Sequence, residues 1–557
     1  MGIISWIESY GDEMFQNFDM SKLSRDEAYL TVNSNVTPLY LYSVYKECVE
    51  CPYTKERDLE NGNVLTISTR YSKLYRLSSA TTVCDLDVDY GEFGVYSLNV
   101  PNNQSCHVEV LKEPVNIYFP IVTVLLIYGL LLLIGASIFY VSNVYLYKKK
   151  QQTSSHSVEP KQTTTGRNRV VSLDTFRGIS IIIMIFANFG SGGYSLLDHI
   201  VWNGLHLADV VFPWFMWIMG VCVPISIGSA LKRGILKRKI FINVLQRSCI
   251  LFVLGLFLNA SPNLEQMRIF GVLQRLGLAY FVVATCFLMF PNEFDKRERK
   301  NSVNIWRDVL AMKFQWIVAL VVLAAHCLIT FFVHAPNCES GYLGPGGLHK
   351  EGTYRGCVGG AAGYIDQLIL GEHIYKYALI TTIYKSEPFD PEGILGCLTS
   401  IVQVFIGSQV GATIIVYKSH LSRLLRWIIW GAGLGLVGGC LCGFSKDEGV
   451  IPINKHLWSV SFVLVTSSFA FLLFSVCYLL VDVKKIWSGK PFMFAGMNVT
   501  LMYVGHSLAF NHFPIRWVPD DRGLSTHFLT FFENIWGTAC WLLIAYQLYR
   551  KKFFLSI

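Results

Sequence analysis

The chain has 557 residues, of which 52% are apolar and only 15% charged, and its mean hydropathy is +0.40. So little charge excludes a large water-soluble globule, a disordered chain and a coiled coil, and leaves a polytopic membrane protein embedded in lipid. The net charge of +8 then reads as cytosolic loops rather than as nucleic-acid binding, and no nucleic-acid partner is expected.

Residues 1–113 differ from the rest. Val64-Leu65-Thr66-Ile67-Ser68-Thr69-Arg70-Tyr71 and His107-Val108-Glu109-Val110-Leu111 alternate with period two, between turn formers at Asn61-Gly62-Asn63 and Pro101-Asn102-Asn103. That pattern predicts half-buried strands and a small β-sandwich. Four cysteines, Cys48, Cys51, Cys84 and Cys106, allow three disulfide pairings. Asn35-Val36-Thr37 and Asn103-Gln104-Ser105 are glycosylation sequons. Strands, cysteines and sequons together place this domain outside the cytosol.

A long apolar stretch within residues 117–147 ends in Lys148-Lys149-Lys150 and predicts a first transmembrane helix, assigned to residues 114–150, with its C-terminal end cytosolic. The start, Met1-Gly2-Ile3-Ile4-Ser5-Trp6, lacks a basic n-region, so either helix 1 is a reverse anchor or an upstream segment is missing. Residues 151–168 read as a flexible polar linker. From residue 169 to 557 ten further spans are predicted, at 172–190, 208–229, 243–260, 269–290, 314–333, 393–417, 424–443, 457–480, 491–510 and 528–549. Basic clusters follow spans 1, 3, 5, 7, 9 and 11, and only eleven spans put them all on one side. The fold class is therefore an eleven-helix membrane protein with a luminal β-sandwich. A long luminal loop, about 334–391, adds Cys338 and Cys357.

Charge inside a span is costly and marks function by default. The second span carries Asp174 and Arg177 at its cytosolic end and Asn188 near its luminal end. Asp174 is placed to cap the helix. Eleven residues separate Arg177 from Asn188, roughly 16 Å along nearly one face. Such a stripe suits a long, narrow ligand with an anionic cytosolic end; an Asp174–Arg177 pair tying the helix end is the competing reading. His199 follows a Gly-rich turn, with Asp198 and Asp209 nearby, and is a candidate base or nucleophile. Arg247 sits at the edge of the fourth span, Arg275 within the fifth, and Asn498 and His506 within the tenth. Without HxxxH or paired CxxC spacing, no metal is expected.

These residues resemble a known family. Arg169-Val170-Val171-Ser172-Leu173-Asp174-Thr175-Phe176-Arg177-Gly178, Trp202-Asn203-Gly204, Ala208-Asp209-Val210-Val211-Phe212-Pro213-Trp214, Gly271-Val272-Leu273-Gln274-Arg275-Leu276-Gly277, Asn454-Lys455-His456-Leu457-Trp458-Ser459 and Gly496-Met497-Asn498 are similar to the heparan-alpha-glucosaminide N-acetyltransferases. The resemblance implies a lysosomal enzyme with eleven spans that moves an acetyl group from cytosolic acetyl-CoA to the terminal glucosamine amine of heparan sulfate in the lumen. It places the catalytic histidine at His199 and its accompanying asparagine at Asn188, and we group Asp209 with them. Candidates for holding acetyl-CoA are Asp174, Arg177, Arg247, Arg275, Asn498 and His506, with Lys232 or Arg233 as further cations. Whether His199 carries the acetyl group or acts as a base stays open. Membrane lipid is an expected partner. A homodimer is expected too, although the loop from Ser261 to Arg268 holds no cysteine to link one. Two other functions compete: a solute transporter, for which no inverted repeat is visible, and a related acyltransferase with another sugar acceptor.

Overall fold

The computed structural model of the protein describes residues 14–79, 82–102, 105–153, 169–260, 263–290, 306–376, 379–517 and 526–555. The expectations for residues 1–6, the sequon at Asn103-Gln104, most of the linker and the basic cluster at 296–300 fall outside them.

A short hairpin, β1 (Met14–Phe15) and β2 (Phe18–Asp19), precedes eight strands: β3 (Glu27–Ser34), β4 (Leu39–Tyr45), β5 (Thr54–Leu59), β6 (Val64–Ser68), β7 (Lys73–Ser78), β8 (Thr82–Leu86), β9 (Val95–Asn102) and β10 (Ser105–Lys112). They form two four-stranded sheets, ordered β10-β9-β3-β6 and β5-β4-β7-β8. Leu39, Leu41 and Ser43 are buried while Tyr40 and Tyr42 are less so, as period two requires. Leu30, Leu65 and Leu98 of one sheet share a core with Leu41, Leu59 and Leu77 of the other, which makes the expected sandwich. β3 is buried on both faces. Its outward Tyr29 packs with Phe93, Val95 and Val115 against Phe119 and Phe528 of the helical body. Three disulfides close Cys48–Cys51, Cys84–Cys106 and Cys338–Cys357.

The helical body comprises α1 (Phe119–Thr153), α2 (Val171–Asn188), α3 (Val211–Lys232), α4 (Lys237–Leu258), α5 (Val272–Met289), α6 (Lys313–Phe332), α7 (Leu395–Val416), α8 (His420–Leu441), α9 (Val460–Tyr478), α10 (Phe492–Gly496), α11 (Val499–Leu508) and α12 (His527–Arg550). Ten helices among the described residues are long and apolar enough to cross a membrane, so the chain is a multi-pass membrane protein. α3 and α7 are the most enclosed, while α1, α6 and α8 expose most of their surface and form the rim.

The expectation of an unbroken helix at 491–510 is corrected: α10 and α11 are two short helices, broken between Gly496 and Val499. The pair still follows α2. Gly178 of α2 lies against the Phe492 carbonyl and Gly496 against the Asp174 carbonyl, approaches with no room for a Cβ. At the other end His506 reaches Asn188. The capping expectation for Asp174 is also corrected. Asp482 accepts from the backbone N–H groups of Val171 and Ser172 at 3.2 and 3.0 Å. Asp174 instead pairs with Arg169 at 2.6 Å and Arg177 at 3.3 Å.

Candidate active site

Two cavities lie along α2, one near each end. The first, of about 110 Å³, is lined by Asn188 and His199 together with Phe212, Glu392, Lys455 and Tyr503. His199 is half exposed, and its Nδ1 lies 2.8 Å from Asp209 Oδ1. Asp209 is fully buried in the 3-10 turn Leu207–Val210 that leads into α3. Its other oxygen, Oδ2, accepts from the backbone N–H groups of Ile200 and His206, both at 3.1 Å. These bonds fix the carboxylate before any ligand arrives. With its proton on Nδ1, His199 donates to Asp209 and keeps the Nε2 lone pair as a base; with its proton on Nε2, Nδ1 accepts from Lys455 instead.

Lys455 was not among the candidates from sequence. Its Nζ stands 3.2 Å from Asp209 Oδ1 and 2.8 Å from His199 Nδ1. It arrives through backbone pairing: Gly204 N donates to Ile453 O at 2.8 Å, and Asn454 Nδ2 donates to Asn203 Oδ1 at 3.1 Å. The Trp202-Asn203-Gly204 turn is thereby tied to the Asn454-Lys455-His456 turn. Trp202 stacks on His456 with ring centroids 5.2 Å apart, and burial together with Lys455 holds His456 down at about 4, a neutral ring. The pairing spans about 250 residues, so only the presence of both short motifs hinted at it.

Glu392 also reaches this cavity unforeseen. Burial opposes its charge, but Arg268 prevails and keeps its carboxyl below the usual carboxylate range. Arg268 binds Glu392 and, through Nε at 2.9 Å, Asp390. On the opposite wall Asn188 Nδ2 donates to His506 Nε2 at 2.8 Å, while His506 Nδ1 donates to Met502 O at 2.9 Å. The second hydrogen bond sets the histidine tautomer and so the rotamer of Asn188. One N–H and the Oδ1 of Asn188 stay available.

The second cavity, of about 390 Å³, gathers Arg177, Arg247, Tyr280, Thr500, Phe554 and Leu555 among its lining residues. Arg247 stacks over the Tyr280 ring at 4.5 Å. Two of the predicted cations thus share one space. The others are elsewhere. Asp174 is paired as described. Arg275 is fully buried, donates to Gly393 O at 2.8 Å and stacks on Trp458 at 4.8 Å, bracing the start of α7. Asn498 spends both ends of its amide on the C-terminal tail: Nδ2 donates to Phe553 O and Oδ1 accepts from Leu555 N, each at 2.9 Å. His506 serves Asn188. Neither Lys232 nor Arg233 lines the second cavity.

No family model matches the chain. It is 35% identical to heparan-alpha-glucosaminide N-acetyltransferase of Mus musculus, aligned over 96% of this chain and 89% of that protein. It is 37% identical to the protein of the same name from Homo sapiens, over the same shares of each.

Proposed function

The chain belongs to the heparan-alpha-glucosaminide N-acetyltransferase family and is an acetyltransferase with acetyl-CoA as co-substrate, and we propose that it acetylates the terminal glucosamine amine of heparan sulfate across the lysosomal membrane. In this reading the sandwich and the His199 cavity face the lumen, and the Arg177 cavity faces the cytosol. The observation that carries it is the sharing of one 110 Å³ cavity by Asn188 and His199 at one end of the helix whose other end supplies Arg177 to a second cavity. Eleven crossings remain our topology, with α10 and α11 together making the tenth.

Arg177 and Arg247 would hold the anionic end of the cofactor, and the α2 stripe would carry its arm toward Asn188. An ammonium group is not a nucleophile. His199 Nε2 takes a proton from the acceptor ammonium, and Asp209 stabilises the imidazolium. The freed amine attacks the thioester carbonyl carbon. The amide of Asn188 stabilises the oxyanion that forms. The carbon–sulfur bond then breaks, the thiolate takes the second proton that the nitrogen loses on becoming an amide, and His199 returns the first to solvent. Lys455 pairs with Asp209 at 3.2 Å and helps hold it beside the ring.

The test is transfer from labelled acetyl-CoA to glucosamine in membranes. His199→Ala should abolish it, and undiminished transfer would remove the catalytic assignment. Arg177→Ala should weaken acetyl-CoA binding with the acceptor KM unchanged; unaltered affinity would sink the phosphate role.

A further inference from the structure

A further cavity that these roles do not use lies at the open edge of the sandwich. It has a volume of about 430 Å³ and is bounded by β5 and β6 on one side and by Leu348, Thr382, Ile383 and Lys385 of the long loop on the other. That volume falls within the range of small-molecule sites. Four cations line it, Lys55, Arg57, Lys73 and Lys385, against a single carboxylate, Glu56. Glu56 is already bound to Lys73, and Lys55 is paired with Asp58 at 2.5 Å. Arg57 and Lys385 have no ion-pair partner among the described residues.

Both are placed by the fold. Arg57 stands opposite Leu41 in the β4–β5 register, and Leu41 belongs to the sandwich core. A strand position that elsewhere faces the core here carries a guanidinium into the cavity mouth. Lys385 sits at φ +51°, in a turn pinned by the 2.7 Å hydrogen bond from Leu348 N to Tyr384 O. The sandwich meets the active site directly. Arg70 binds Asp198 at 2.8 Å, and Asp198 in turn accepts from the His199 backbone N–H. Cys48 and Ile383 from the cavity wall share an apolar cluster with Trp202, three residues from His199.

We propose that this cavity is a second saccharide site, in which Arg57 and Lys385 hold the sulfate groups of the glycan that continues from the sugar being acetylated. This deepens, and rests on, the reading of the acceptor as the end of a sulfated glycan. A guanidinium forks onto two oxygens of such an anion, and an ammonium adds a point charge. The terminal amine would enter at His199 while the polyanion behind it lies along the sandwich.

The experiment uses the full chain in membranes, labelled acetyl-CoA and three acceptors: free glucosamine, a sulfated heparan tetrasaccharide with glucosamine at its non-reducing end, and its desulfated counterpart. Because each exposed pair contributes little, the double variant Arg57→Ala/Lys385→Ala is compared with wild type. It should raise the KM for the sulfated tetrasaccharide about five- to tenfold, with kcat and both other KM values unchanged. The wild-type preference for the sulfated form should shrink as salt is added. An unchanged KM for the sulfated tetrasaccharide, or an equal rise for all three acceptors, overturns the site. Each single variant, read the same way, guards against a folding defect in the double. If wild type acetylates none of the saccharides, the acceptor reading itself fails, and the site fails with it.

Discussion

Asp209→Asn changes one atom and should disable the base. Asp209 Oδ2 accepts from the Ile200 and His206 backbone N–H groups, both at 3.1 Å. An asparagine keeps those two bonds only by putting its oxygen there. Its Nδ2 then faces His199 Nδ1, 2.8 Å from the present Oδ1, and Lys455 Nζ, 3.2 Å from it. With the wild-type proton on Nδ1, donor would then meet donor on both sides, and the imidazole is driven to carry its proton on Nε2, the atom proposed as base. The corresponding change in a serine protease triad lowers kcat about 10⁴-fold through the wrong tautomer. His199 is half exposed and could partly reorient, so we expect a fall of about 10²- to 10⁴-fold here. Lys455 loses its buried carboxylate as well, at a cost of about 1–3 kcal/mol in stability. The KM for acetyl-CoA should stay within about twofold, because Arg177 lies at the far end of α2. Initial rates of labelled acetyl transfer, with a thermal unfolding scan as control, measure both effects. A kcat within tenfold of wild type would refute the role given to Asp209.

Three further outcomes follow from contacts outside the catalytic pair. Asn498→Ala removes both bonds that hold the tail against the Arg177 cavity, loosening it by about 1–3 kcal/mol; faster proteolysis near Phe553 and a raised KM for acetyl-CoA should result, and wild-type protection would refute the staple. Gly178→Ala drives a methyl into the Phe492 carbonyl and should cost about 1–3 kcal/mol or more, read as a lower thermal midpoint; a wild-type midpoint would disprove the close crossing. Burial raises Glu92 from 4.5 to about 7 where the sandwich meets His527 of α12. Its burial is therefore best tolerated below about pH 4.5, and stability is lost as pH rises through about 7, by at most about 3 kcal/mol. Asp26, hydrogen-bonded to His527 at 3.0 Å, is depressed below its usual 3.8 despite burial and acts only below that range. Glu92→Gln should flatten the midpoint between pH 5 and 7; an unchanged slope would clear Glu92.

What the sequence made legible follows the range of the forces involved. Spans are legible because lipid requires about 20 consecutive apolar residues, a local demand. Pairing of His199 with Asp209 is legible for the same reason, being ten residues apart. Lys455 is not, because its place depends on Asn203 meeting Asn454 across the fold. The break at Asn498 is equally hidden. The apolar pattern of 491–510 reads as one helix, and only the use of the Asn498 amide by Phe553 and Leu555 shows what occupies the gap. Asp174 looked like a helix cap because it was the only carboxylate nearby in sequence; the real one, Asp482, comes from the end of another span.

The intramembrane cations can be sorted by whether they face a cavity. Arg275 has a 2.8 Å bond to a carbonyl and an aromatic face beneath its guanidinium, and it lines neither cavity. Its Nε and Nη1 are buried without a hydrogen-bond partner among the described residues, so what sets Arg275 apart is that it faces neither cavity. Arg177 makes three contacts, to Asp174 at 3.3 Å, to Gly496 O at 3.4 Å and to the weak acceptor Cys222 Sγ at 3.2 Å. The two oxygen contacts lie beyond the 2.7–3.2 Å of a good N–H···O bond. Arg247 pairs with no carboxylate among the described residues and has only the Tyr280 ring. A guanidinium oriented by weak bonds and facing a cavity is preorganised for an incoming anion. A phosphate can replace the weak bonds to Arg177 and supply the partner that Arg247 lacks. That difference, more than the mere presence of charge inside the membrane, separates the cations we propose for the cofactor from Arg275.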